Sequence, residues 1–218
     1  MRSGPVLVLC LSATVAAGVC RAETYGDTAF PGGAASFADR VVDFALGDGV
    51  GRTFKDPASV IGPPDYARRT GAFALGDPGT RPDNLPDTEF GWITIEFTDN
   101  ALTTSGDGAP DLYVFEVGQR VEAFTVEISL DNQHFLTIGT VRGQPTKIDI
   151  DGVPGVLAGG RYRFVRVTDA TGGPASPRPV AGPDIDAIGA ITSVPASPAD
   201  GGTLPLLGGT ASRNPADP

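Results

Sequence analysis

The sequence predicts an all-β fold, an antiparallel β-sandwich, and three observations carry that expectation. Short apolar runs alternate with period two rather than 3.6. Glycine and proline, 30 and 20 of the 218 residues, punctuate those runs without the three-residue period of collagen. No stretch of ordinary helix length carries an apolar stripe.

The plainest strand is 123–130, where Phe124, Val126, Ile128 and Leu130 fall on an inward face and Thr125, Glu127 and Ser129 outward. Asp131-Asn132-Gln133 is turn chemistry, and His134 to Ile138 returns as the second arm of a hairpin. Gly91 to Thr98 sets Ile93, Ile95 and Phe97 on one face and Trp92 on the other. The run 112–117 is apolar on both faces, the mark of a central strand. With 147–150, 162–168 and 185–191 the set reaches seven or eight short strands, enough for two packed sheets. Residues 35–42 read as one helical turn or an opening strand. The Gly-, Pro- and Asp-rich stretch 47–90 reads as long ordered loops with one or two short strands.

The ends differ from the middle. Residues 1–22 read as a cleavable export signal: Arg2, an apolar run from Pro5 to Ala17 broken by Ser12 and Thr14, and Cys20-Arg21-Ala22 before Glu23. That run is too short and weak to span a bilayer. Val19 before Cys20 argues against a lipid-modified cysteine. Both cysteines, Cys10 and Cys20, leave with the signal, so disulfides, thiol nucleophiles and cysteine-based zinc sites are not expected in the mature chain. The domain is expected over 23–193. From 194 to 218 periodicity is lost and a disordered Pro/Gly-rich tail is expected, its Leu204-Pro205-Leu206-Leu207 too short for an anchor. A secreted or periplasmic protein with no membrane span in the mature chain follows.

Charge narrows the partners. The net charge is −10, and loss of Arg2 and Arg21 with the signal takes it to −12. Lys55 and Lys147 are the only lysines, and aspartate dominates the 26 acids. Such a surface repels nucleic acid. It suits simple solvation or the binding of cations.

Several phrases, taken in order, resemble the discoidin-like, galactose-binding-like jelly-roll domain of bacterial secreted or cell-surface proteins. They are Asp56-Pro57-Ala58-Ser59-Val60-Ile61-Gly62-Pro63-Pro64-Asp65, Ile93 to Asn100, Pro110 to Gly118, Val126 to Asp131, Tyr162 to Asp169, and Ala181 to Ile191. The resemblance covers roughly residues 35–192. It implies a sandwich whose loops at one end bind ligand, often a glycan, and whose edge often holds a structural calcium ion. Related exported proteins commonly carry a hydrophobic sorting tail, which this chain lacks.

Candidate sites follow from residue type. Asp99, Asn100, Asp107 and Asp111, with Gly106 and Gly108 between them, form an oxygen-rich loop able to curl around calcium, which takes six to eight oxygens. The spacing is not that of an EF-hand, and Asx-turns account for the same residues without a metal. Asp184 and Asp186 share one face of the last strand by alternation; a cation would relieve their repulsion, or Arg161, Arg163 and Arg166 on a neighbouring strand would. Tyr66 with Arg68 in the long loop, and the outward Trp92, are the candidates for stacking and hydrogen bonding a sugar. His134, the only histidine, sits in a hairpin arm, and no nucleophile elbow, zinc-protease motif or phosphate loop occurs.

The sequence therefore favours a secreted, non-catalytic binding or adhesion module for extracellular glycan, assisted by calcium. A structural extracellular or surface protein that packs against partner chains is the alternative. A glycan hydrolase is a third, since its two carboxylates could be nominated from any of 26 acids.

Overall fold

The computed structural model describes residues 21–78, 90–118, 120–170 and 181–196. Residues 1–20 of the expected export signal (1–22) and 197–218 of the expected tail (194–218) lie outside the described residues. In chain order the strands are β1 (Glu23–Tyr25), β2 (Thr28–Phe30), β3 (Arg40–Ala45), β4 (Phe73–Ala74), β5 (Trp92–Glu96), β6 (Asn100–Leu102), β7 (Leu112–Val117), β8 (Ala123–Ser129), β9 (Phe135–Arg142), β10 (Thr146–Ile148), β11 (Phe164–Asp169), β12 (Asp184–Ala190) and β13 (Ser193–Pro195). The described helical segments are three 3₁₀ turns, Gly33–Ser36, Arg52–Phe54 and Pro57–Val60. Asp56 caps the last of these through Oδ1, which accepts from the Ala58 N–H at 3.0 Å, and Pro57 fills a position that needs no N–H.

Every strand pairing in both sheets is antiparallel. A four-stranded sheet runs β10-β7-β12-β4 and a five-stranded sheet runs β3-β5-β11-β8-β9. The two enclose one apolar core containing Phe73, Ile93, Ile95, Leu112, Val114, Phe124, Val126, Ile128, Val165, Val167, Ile185 and Ile188. Alternation explains the choice of faces: Ile93 and Ile95 turn inward while Trp92 stays half exposed on the outer side. The strand at 112–117 is central, as its two apolar faces require. Leu112 and Val114 enter the main core, and Tyr113 and Phe115 join a second cluster with Phe30 and Phe37 on the far side.

That second cluster is covered by the β1–β2 hairpin. Phe30 and Phe37 lie with ring centroids 4.8 Å apart, and Tyr113 and Phe115 at 4.3 Å. β6 and β13 pair as a separate two-stranded ribbon, so the regular structure extends through Pro195. Leu130 departs from the expected inward set. It is 44% exposed because β8 ends at Ser129 and the turn carries Leu130 beyond the sheet.

At one end the sheets approach through backbone alone. A Cβ on Gly91 would stand 1.8 Å from the Leu75 carbonyl oxygen, so only glycine fits where the chain enters β5.

Candidate functional site

The outer face of the five-stranded sheet carries an ordered polar and aromatic surface. Register sets it: Trp92 lies across from Thr168, Thr94 from Arg166, and Arg166 from Glu127. Arg166 sits between two rings, its guanidinium carbon 4.9 Å from the Trp92 centroid and 3.9 Å from that of Phe135. Its Nε donates to Thr94 Oγ1 at 2.9 Å, and its Nη groups make no hydrogen bond among the described residues. Thr125 and Thr140 bond to each other at 2.9 Å, and the Thr137 hydroxyl donates to Glu127 at 3.3 Å. Along the same sheet Glu96, buried, takes hydrogen bonds from Arg40 and Arg163.

Tyr66 and Arg68 do not join Trp92. Tyr66 packs with Phe54, Ala72, Ala74 and Val117 beside the four-stranded sheet, while Trp92 lies on the outer face of the other sheet. Arg68 is exposed, with φ of 52°, in a turn closed by Ala67 and Thr70.

The acidic candidates divide among three places. Asp99 is exposed and Asn100 buried at the start of β6, where β13 pairs with it. Asp107 and Asp111 belong instead to the connection between β6 and β7. There the Ser105 hydroxyl links Asp107 Oδ1 at 3.2 Å to Asp151 Oδ2 at 2.9 Å. Because Ile148 pairs with Leu112, the chain leaving β10 brings Asp149 and Asp151 beside Asp111. One carboxylate oxygen from each of Asp111, Asp149 and Asp151 lies within 4.8 Å of the others, a group that could hold a metal ion. Asp111 is fully buried; its Oδ2 accepts from the Ile150 N–H at 3.2 Å and Oδ1 has no hydrogen-bond partner. Burial pushes the Asp111 carboxyl up, while the Thr192 side chain, the Ile150 N–H and the Ser105 side chain pull the other way.

The third place is the opposite end of β7. Asp184 and Asp186 are both buried, but a bulge between Ile185 and Ala187 breaks the alternation that would pair them. Asp186 Oδ1 accepts the N–H groups of Asp65 and Tyr66, each at 3.1 Å, tying the long loop to β12. Burial raises its pKa to about 6. The neighbours of β12 are β7 and β4, so Arg161, Arg163 and Arg166 are not beside it; Arg163 and Arg166 serve the other sheet. Asp184 instead shares its surroundings with Glu116 and Glu122. Burial, then the charges of Asp184 and Glu122, lift Glu116 to about 9, and burial with Glu122 lifts Asp184 to about 7. Neither Glu116 oxygen has a hydrogen-bond partner. Sequence reasoning did not single out Asp149, Asp151, Phe135 or Glu116, and it set Arg166 beside Asp184 and Asp186 rather than against Trp92. Only the register across non-consecutive strands assembles them.

No family model matches the chain, and no curated protein matches it. Among solved structures it is similar to the C-terminal domain of a chitobiase from Bacteroides fragilis, at 12% identity over 75% of this chain and 97% of that one, TM-score 0.43. A chitosan-binding module from a chitosanase/glucanase of Paenibacillus sp. IK-5 is 12% identical over 71% of this chain and 96% of that one, TM-score 0.42. A CBM32 module of a GH31 protein, bound to GalNAc, is 12% identical over 69% and 97%, TM-score 0.34. The class of the protein, a two-sheet antiparallel β-sandwich, stands on its own strand order and register.

Proposed function

We propose that this is a non-catalytic, exported binding or adhesion module for extracellular glycan, assisted by calcium. The Trp92–Arg166–Phe135 ladder on the open sheet face is the observation that supports it. A sugar ring offers an apolar C–H face and a rim of hydroxyls. An indole and a phenyl ring supply the apolar contact, and a guanidinium with uncommitted Nη donors supplies the rim. The sequence-based trio of Tyr66, Arg68 and Trp92 reduces in this proposal to Trp92, joined by Arg166 and Phe135.

Glycan-array binding of the wild type and of Trp92→Ala and Arg166→Ala tests it. A specific glycan signal that falls at least tenfold in both variants is the expected result; a signal unchanged in both overturns the ladder as the binding surface.

One observation favours the partner-chain reading. Leu130 and Leu157, 44% and 59% exposed, border a single shallow depression with Leu136, His134 and Tyr162. An empty array, with concentration-dependent assembly that Leu157→Ser abolishes, would favour a structural protein that binds other chains. Turnover of labelled polysaccharide would instead favour a hydrolase.

A further inference from the structure

We infer that Asp111, Asp149 and Asp151 form a calcium site that fastens the β6–β7 connection to the segment leaving β10. The inference deepens the calcium part of the proposed function by assigning its ligands, and it does not depend on glycan being the partner.

The donor set is all oxygen. Three carboxylates whose oxygens lie within 4.8 Å of one another fit around an ion whose metal–oxygen distance is about 2.4 Å, that of calcium, which accepts carboxylate-rich, flexible oxygen shells where magnesium keeps most of its waters. A carboxylate triad alone would be an ordinary acidic surface. Here Asp111 is fully buried, and its Oδ1 has no hydrogen-bond partner while its carboxylate faces the two other acids. A buried, unpartnered carboxylate oxygen is costly unless a cation completes it. None of the three acids is ion-paired among the described residues.

The surrounding bonds fix the triad. Asp151 Oδ2 accepts from the Gly106 N–H at 2.9 Å as well as from Ser105, and Asp149 Oδ1 accepts from the Asp151 N–H at 2.8 Å. The Asp111 carbonyl takes the N–H groups of Ile191 at 2.7 Å and Thr192 at 3.1 Å. An ion on Asp111 therefore joins three segments distant in sequence: the 103–111 connection, the 149–151 turn and the chain after β12.

Calcium titration of the melting temperature tests the site. The expected result is a rise that exceeds the effect of equimolar magnesium at matched ionic strength, half-complete at about 0.1–1 mM calcium, as in extracellular modules. Asp149→Asn/Asp151→Asn, at the surface, should need at least tenfold more calcium, while Asp43→Asn, an exposed acid on the other sheet, should respond as the wild type. No calcium-specific rise, or an equal response in the double variant, overturns the inference. Should the double variant fail to fold, the wild-type amide resonances decide. Calcium must shift Gly106, Ile150 and Asp151, and shifts centred elsewhere overturn the site. A glycan array run on the same protein reports separately, so failure of one reading leaves the other standing.

Discussion

Glu116 follows Leu112 and Val114 along β7, and it is 2% exposed with no hydrogen bond to either carboxylate oxygen. Its pKa of about 9, against an ordinary 4.5, means that the folded chain keeps a proton at neutral pH that the unfolded chain releases. Between those values the folded state binds more protons, so stability falls as pH rises and the loss is complete above about 9. Asp184, raised to about 7, adds a loss of the same sign at lower pH. In calcium-free buffer the melting temperature should therefore decline from pH 5 to pH 9. Glu116→Gln, which keeps the shape and removes the titration, should flatten that decline and stabilise the protein at pH 8 by roughly 2–4 kcal/mol. Urea unfolding across the pH range measures both, and a pH-independent wild type would refute the burial argument. The residue type gave no hint of this: Glu116 lies in an apolar run, and its acidic neighbours arrive from β12 and from the start of β8.

At the scale of elements, the β8–β9 hairpin was the most legible in sequence, because its information is local. Period two set its faces, and Asp131-Asn132-Gln133 set its turn. Asn132 indeed takes the left-handed conformation, at φ of 61°, that asparagine tolerates. Asp131 Oδ1 accepts the N–H groups of Gln133 and His134, each at 2.9 Å, and Oδ2 meets His134 Nδ1 at 2.8 Å. These bonds, the His134 backbone N–H first, hold the Asp131 carboxyl well below the usual range. Its stabilisation is thus present above the unfolded value of 3.8 and lost as pH falls through the lower folded value. Asp131→Ala should speed amide exchange at Gln133 and His134 and blunt the response of the hairpin to acid; unchanged exchange rates would show that the turn holds without the carboxylate. The acid triad was legible only in part. Asp111 stood out in its Gly-rich loop, but Asp149 and Asp151 reach it through the Ile148–Leu112 pairing, which no local pattern announces.

For the molecule as a whole, the two-sheet sandwich was readable because longer strands such as β5, β8 and β11 carry their own alternation, and β7 its apolar run. The short ribbons were not, since three residues per strand hold no period. The β1–β2 hairpin shows what such a ribbon does: it buries Phe30 completely and caps Phe37, Tyr113 and Phe115 on the outer side of the four-stranded sheet. Tyr25 stands edge-on to Phe37 at 4.9 Å, and Lys147 bonds Asp27 at 2.9 Å, so the hairpin is docked by packing and by charge. Signal cleavage after Ala22, as the sequence suggests, would leave this hairpin whole, because β1 begins at Glu23. A chain starting at Glu23 should therefore melt as the full-length chain does. A chain starting at Gly32 should lose the contacts of Phe30 and Tyr25, about 3–5 kcal/mol by analogy with removing a buried aromatic, and should bind hydrophobic dye through the bared rings. Equal melting temperatures for the two truncations would mean that the hairpin is an ornament on the sheet rather than a part of the core.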